Sequence, residues 1–186
     1  MEMPPREVPA GLSASEYYRL AIEYKKMGWI EQARDSIDLT IELGGDDEIV
    51  GAARLFLKTK IPKYPVPLLA EQRFIDGFNQ MAMGDVDDAM QTFEELVKDY
   101  PSFEWGYGQL SVLYLQEGEK EKAKDLLKVA LEINPDYVNG WLHLARAHGL
   151  SSDFQAAKEC VDRALISDPA DPAANAMRVE LEKLDS

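Results

Sequence analysis

The chain has 186 residues, 46% of them hydrophobic, and this composition argues against wholesale disorder. Its formal net charge of −14 disfavours nucleic acid as a partner, because an acidic surface repels phosphate. A single cysteine, Cys160, excludes an intramolecular disulfide framework. No apolar run is long enough to cross a membrane or to act as a signal peptide. We therefore expect a reduced, cytoplasmic protein that does not bind membranes.

The first two segments of the chain are a tail and a helical pair. Residues 1–13 contain three prolines and predict a flexible or extended tail. Residues 14–47 have apolar residues at helical spacing on both sides of Gly28. This pattern predicts two short helices joined by a tight turn.

An insertion follows at residues 48–69. Its first part predicts a helix that places Ile49, Ala53, Phe56 and Leu57 on one side. The stretch "IPKYPVP" after it is expected to be extended, because its three prolines fix the backbone. The sequence leaves open whether this insertion breaks the helical array or packs along it.

A repeat of 34 residues organises the rest of the chain. An alanine, a large apolar residue and a proline recur at this spacing. Each copy is predicted to be two helices, and the proline ends the second one because the residue before proline is pushed out of the helical region. The recurring residues are Ala89, Ala123 and Ala157, then Phe93, Leu127 and Val161, then Pro101, Pro135 and Pro169.

Small residues are expected where the two helices of each copy cross, since larger ones would keep the helix axes apart. The recurring alanine supplies one, and Gly77, Ser111 and Ala145 supply the other. One such hairpin cannot bury its own apolar face, so neighbouring copies must stack. Residues 172–186 start as a helix, soon become charged, and are predicted to cap the last copy.

The pattern resembles the tetratricopeptide repeat (TPR) in four copies, at 14–47, 70–103, 104–137 and 138–171. The second copy departs from it at Arg73, Asp76 and Gln80, and the fourth has His148 and Ser152 in place of tyrosine and glycine. The resemblance implies an all-α fold, an αα-hairpin superhelix whose first helices line a concave groove. The best match is the third copy, with Tyr107, Leu110, Ser111, Tyr114, Gly118, Ala123, Leu127, Ala130 and Pro135 at the family positions.

The resemblance also implies which side chains face the groove. Most of them are apolar here, and such a strip indicates a protein partner, an apolar or amphipathic peptide or helix. The alternatives are that residues 1–13 or 48–69 cover the strip, or that a second copy of the chain does, as in a self-associating structural subunit. Glu71 is expected to face the groove as well. The predicted peptide-binding residues are Tyr18, Phe74, Phe78, Met81, Trp105, Gly108, Val112, Leu115, Leu142 and Arg146.

Two glycines interrupt the first helix of the third copy, "EWGYGQLSVLYLQEG", and each costs a helix about 1 kcal/mol relative to alanine. Two interpretations of Gly108 are open. It leaves a hollow in the groove where a ligand approaches the backbone, or it makes room for a large neighbour such as Trp105.

TPR proteins that hold the acidic tails of chaperones use a clamp of lysine, asparagine and arginine on the groove. In this sequence the corresponding positions carry apolar residues or glycine, and Arg146, Lys25 and Lys26 are the basic residues expected to face the groove. With a net charge of −14 around them, capture of an acidic tail is not expected.

No motif of a catalytic or metal site is recognised. His143 and His148 are five residues apart and point to different sides of a helix, so we expect structural roles. Cys160 is expected to be a small buried hydrophobe. The acidic run at 85–88 is explained as the start of a helix. There is no phosphate loop and no nucleophile motif, so we predict a non-catalytic protein without a cofactor.

Overall fold

The computed structural model describes residue 5 and residues 7–184. Every regular element in this part of the chain is an α-helix, and the contacts divide the chain into an N-terminal unit, Met1–Glu71, and a C-terminal unit, Gln72–Ser186. The helices are α1 (Ala14–Lys26), α2 (Ile30–Leu43), α3 (Asp47–Lys60), α4 (Leu68–Met83), α5 (Val86–Asp99), α6 (Glu104–Gln116), α7 (Lys120–Ile133), α8 (Val138–Leu150), α9 (Phe154–Ser167) and α10 (Pro172–Lys183).

The N-terminal unit contains a hairpin of α1 and α2, with α3 packed on α2. The helix predicted in the insertion is therefore present, and within the N-terminal unit it packs on the first hairpin. Small and branched residues meet at its centre, where Ala21, Ile37 and Ala53 are fully buried. Tyr18 and Phe56 close the gap between α1 and α3, with ring centroids 6.1 Å apart.

The tail is held against this hairpin. The Tyr17 hydroxyl donates to the Pro9 carbonyl at 2.9 Å, and the Gln32 side-chain amide donates to the Pro5 carbonyl at 3.3 Å. Of the two expectations for the tail, flexible or extended, these contacts favour an extended segment at Pro5 and Pro9. Residues 1–4 and residue 6 lie outside the described part of the chain.

The segment "IPKYPVP" is not helical, as predicted, and it lies against the first turns of α2. The Arg34 guanidinium donates to the carbonyls of Pro62 at 2.8 Å and Tyr64 at 3.0 Å. The Val66 amide donates to a Glu31 carboxylate oxygen at 2.9 Å. Within the N-terminal unit this segment thus contacts a second helix of a hairpin.

Glu71 caps α2 across 40 residues of sequence. Trp29 at the N-cap position provides no side-chain hydrogen bond, and the Glu71 carboxylate accepts one from the Glu31 amide at 3.0 Å. Glu71 is buried, and burial is the main cause that raises its pKa to about 7. The prediction that Glu71 faces the groove is wrong.

The C-terminal unit contains most of α4 and three hairpins, α4–α5, α6–α7 and α8–α9, followed by α10. The predicted small residues lie at the helix crossings. A Cβ atom on Gly77 would approach the Phe93 ring to 2.8 Å, and Ser111 and Ala145 are buried. The alanines of the second helices, Ala89, Ala123 and Ala157, are fully buried.

The turn inside each hairpin needs a left-handed backbone. The residue at this turn has φ of 80° at Gly28, 86° at Gly84 and 80° at Gly118. In the last hairpin the same place holds Ser152, with φ of 61°. A side chain in this conformation is sterically unfavourable, so the fourth copy is strained where the other three are not.

The last helix closes the C-terminal unit. Asp171 caps α10 by accepting hydrogen bonds from the amides of Ala173 and Ala174, both at 3.0 Å, and Pro172 starts the helix. The buried residues Ala174 and Leu181 belong to the core that α10 shares with α8 and α9. Within residues 7–184 no helix combines the length and the apolarity that crossing a bilayer requires.

Candidate functional site

The first helices of the C-terminal hairpins, α4, α6 and α8, lie side by side. The rings of Phe74 on α4 and Trp105 on α6 have centroids 5.8 Å apart, and α6 packs directly on α8. Towards the other end, residues 84–88 after α4 share one cavity with Glu117, which directly follows α6. Between these two contacts α4 and α6 therefore run in the same direction.

Helices α4, α6 and α8 each carry apolar residues that remain accessible. Phe78 is 53% exposed and Leu150 is 49% exposed, although both are large and apolar. Met81, Val112 and Leu115 are half-buried. Phe78 and Met81 on α4 are three residues apart, and so are Val112 and Leu115 on α6. Each pair therefore lies on one side of its own helix. We call these residues, together with the exposed Arg146 on α8, the first-helix face: Phe78, Met81, Val112, Leu115, Arg146 and Leu150.

Phe74 and Trp105 border this face but are held in an aromatic cluster. The Phe74 centroid lies 5.5 Å from that of Phe103 and 5.9 Å from that of Phe93. The Trp105 centroid lies 6.2 Å from that of Phe103. Such ring pairs contribute about 0.5–1.5 kcal/mol each beyond their buried area. Both rings are half-buried, so only part of each is accessible to a ligand.

Gly108 does not leave a hollow for a ligand. A Cβ atom there would lie 2.4 Å from the Tyr137 hydroxyl oxygen, and a Cβ atom on Gly140 would lie 2.5 Å from the same ring. Tyr137 is buried, so these glycines give it room. The interpretation that Gly108 accommodates a large neighbour is therefore correct, but the neighbour is Tyr137 and not Trp105.

Two other predicted site residues are engaged in packing. Leu142 is 7% exposed and belongs to the core of the last hairpins. Tyr18 lies in the N-terminal unit, where it packs against Phe56. Neither residue is part of the first-helix face. The helical position that predicts groove exposure does not account for side chains that are covered by the following helix.

The titratable groups near α8 and α9 serve packing. Burial and the nearby charge of Arg146 lower the pKa of His143 to about 4, so its ring is neutral at physiological pH. His148 Nδ1 lies 3.2 Å from a carboxylate oxygen of Asp153. Cys160 is buried, and burial raises its pKa to about 11, so it remains a thiol.

The turn between α4 and α5, the first turn of α5 and the C-cap residue of α6 form an acidic cavity that the sequence alone does not predict. It has a volume of about 390 Å³. In the sequence, residues 85–88 resemble an ordinary helix start. The signal that could have indicated an acidic cavity is Glu117, a carboxylate at the C-cap of α6. In the part of the chain that the structure describes, no group of three or more histidine, cysteine or carboxylate side chains is arranged to hold a metal ion. The acidic cavity is lined by Gly84, Asp85, Val86, Asp87, Asp88 and Glu117.

A family model for the tetratricopeptide repeat matches residues 80–132 and 115–181, which together make up more than half of the chain. The two matches cover the second helix of the second predicted copy and most of the following copies. They also extend over most of α10.

Solved structures with the same fold come from several organisms. The Sgt2 TPR domain from Aspergillus fumigatus has a TM-score of 0.59 and 19% identity, over 64% of this chain and 80% of that chain. The Yersinia enterocolitica type III secretion chaperone SycD, in complex with a peptide of the translocator YopD, has a TM-score of 0.58 and 15% identity, over 65% of this chain and 98% of that chain. The TPR2AB domain of yeast Sti1, in a pHSP90 complex, has a TM-score of 0.55 and 18% identity, over 92% of this chain and 67% of that chain. At these identities the likeness shows the fold alone.

Proposed function

The chain belongs to the tetratricopeptide repeat family, and we propose that it is a non-catalytic interaction module that binds an apolar or amphipathic peptide segment on its first-helix face. The observation that carries this proposal is the exposure of Phe78. This side chain leaves 53% of its surface in water, and a partner that covers it lowers the free energy of the complex.

The size of that gain fits a peptide ligand. Burying one large apolar side chain completely yields about 1.5–3 kcal/mol. Phe78 and Leu150 are half exposed, and Met81, Val112 and Leu115 are partly exposed. Together they can contribute several kcal/mol, from which the cost of ordering a peptide is subtracted. A micromolar dissociation constant corresponds to a binding free energy of about −8 kcal/mol, and the complex can reach it if the peptide also makes polar contacts.

The solved neighbours support a peptide ligand by analogy. SycD is in complex with a translocator peptide, and the yeast Sti1 domain is in a pHSP90 complex. An acidic chaperone tail is nevertheless a poor ligand for this chain. Arg146 is the basic member of the first-helix face, and the chain as a whole has a net charge of −14. We therefore infer that the ligand is held mainly by apolar contacts.

Selection from a random library of 16-residue displayed peptides tests this proposal. Peptides selected on the wild-type chain should bind Phe78→Ser at least tenfold more weakly. The matched control is Ile166→Ser on α9, which removes a side chain that is 71% exposed and lies on a second helix. If the selected peptides bind Phe78→Ser as well as they bind Ile166→Ser, the first-helix face is not the binding site.

The mass in solution tests the competing occupant, a second copy of the chain. Light scattering over a range of protein concentrations should show a monomer for the wild type and for Phe78→Ser. A dimer that Phe78→Ser dissociates would instead mean that self-association covers the first-helix face.

A further inference from the structure

The first-helix face ends at the acidic cavity. Met81 is three residues before Gly84, and Leu115 is two residues before Glu117, so the apolar side chains on both helices lead towards it. A segment that covers Phe78, Met81 and Leu115 therefore comes close to the carboxylates when it continues past the ends of α4 and α6. The chemistry of the cavity then bears on which peptides fit the face.

The negative potential at this end comes from four carboxylates that line the cavity. The helix dipoles do not add to it, because the C-terminal ends of α4 and α6 meet the N-terminal end of α5 there. Neither helix has a basic residue in its last turn. By contrast, α1 has Lys25 and Lys26 at the same place, and α3 has Lys58 and Lys60.

Helix formation explains only part of this acidity. Asp87 and Asp88 lie in the first turn of α5, where a carboxylate stabilises the helix. Glu117 is at the C-cap of α6, where a negative charge is unfavourable. It nevertheless lines the same cavity as the aspartates, which strengthens the field instead of compensating it.

We propose that the segment bound on the first-helix face is a basic amphipathic peptide, whose apolar side chains cover Phe78, Met81 and Leu115 and whose lysine or arginine enters the acidic cavity. This inference rests on the proposed function and specifies its ligand. A side-chain cation fits the cavity better than a metal ion. Within the described residues, the carboxylates of the cavity do not form a group that is arranged to hold a metal ion. The C-terminal unit carries 22 acidic and 11 basic side chains, so a basic partner is also favoured at longer range.

The test compares two variants that lose the same charge. Asp87→Asn/Asp88→Asn/Glu117→Gln neutralises three carboxylates of the cavity and leaves Asp85, the N-cap residue of α5, in place. The matched control neutralises three exposed carboxylates on α7, namely Glu121→Gln/Asp125→Asn/Glu132→Gln. Thermal unfolding establishes that both variants are folded.

The 16-residue displayed library is selected in parallel on the wild type and on both variants, in 150 mM salt. We expect peptides from the wild type to be enriched in lysine and arginine next to apolar residues, and to bind the cavity variant at least tenfold more weakly. The control variant should bind them within about twofold of the wild type. Peptides selected on the cavity variant should keep the apolar residues and lose the basic ones.

Two results would overturn the inference while the proposed function stands. One is apolar enrichment without basic residues on the wild type. The other is an equal loss of affinity in the cavity variant and in the control variant, which would indicate only a general attraction to an acidic protein. If Phe78→Ser leaves binding unchanged, the proposed function fails, and the inference about its ligand fails with it.

Discussion

Gly108→Ala tests whether the glycine exists for Tyr137. The new Cβ atom would lie 2.4 Å from the Tyr137 hydroxyl oxygen and 3.0 Å from its Cε1 atom. Ordinary contacts between such atoms are about 3.4 Å or longer, so the ring must move by roughly 1 Å. Tyr137 is 3% exposed and packed in the core of the last two hairpins, so it cannot turn away into water.

Two opposing terms set the expected magnitude. Alanine in place of glycine inside a helix contributes about 1 kcal/mol of stability. Overpacking of a buried site costs about 1–3 kcal/mol, and a contact of 2.4 Å against a buried ring belongs to the upper part of that range. We therefore expect Gly108→Ala to destabilise the protein by about 1–2 kcal/mol.

Urea unfolding followed by tryptophan fluorescence measures this difference. The control is Gly149→Ala on α8, where a Cβ atom would have no atom within 4 Å beyond its chain neighbours and its own helix backbone, so the substitution should be neutral or stabilising. Tyr137→Phe removes the atom at 2.4 Å, and Gly108→Ala should cost less in that background. An alanine at 108 that stabilises the wild-type protein would refute the proposed role of Tyr137.

Three further substitutions test the packing, the turn and the buried carboxylate. Ala123→Leu should force α6 and α7 apart and cost about 1–3 kcal/mol, and unchanged thermal unfolding would contradict the crossing assigned to this alanine. Ser152→Gly should stabilise the protein by about 0.5–1 kcal/mol in urea unfolding, whereas Ser151→Gly, at φ of −94°, should not. The folded chain keeps the Glu71 proton up to about pH 7, but the unfolded chain loses it near 4.5, so this group makes stability fall as pH rises between these values. Urea midpoints at pH 5 and 7.5 should therefore differ less for Glu71→Gln than for the wild type.

The helical hairpins could be predicted from the sequence because their determinants are local or periodic. Ala89, Ala123 and Ala157 recur every 34 residues, and each is fully buried where a second helix meets its partner. The turn position recurs in the same way, and its backbone is left-handed even where Ser152 replaces glycine. A repeated sequence gives several independent observations of one structural requirement.

The remaining features depend on contacts between residues far apart in sequence. Glu71 caps α2 through the amide of Glu31, 40 positions earlier, and neither residue has a repeated counterpart that would reveal the pair. Tyr137 fills the space at Gly108 from a loop 29 positions later. A helical position predicts the side of the helix on which a residue lies, but not whether another residue already covers that side.

The second copy departs from the family pattern in its first helix, which carries Phe78 of the proposed first-helix face. Arg73 replaces an expected apolar residue and instead pairs with Asp99 at 2.5 Å, with its guanidinium 5.9 Å from the centre of the Tyr100 ring. Polar contacts thus help to hold α4 on α5, and the apolar residue Phe78 remains half exposed. In the third copy Gly108 leaves room for the Tyr137 ring, and in the fourth copy Leu142 is buried. The apolar members of the proposed first-helix face therefore lie on α4 and α6, next to the acidic cavity, and at Leu150 on α8, so we expect binding to depend on all three helices.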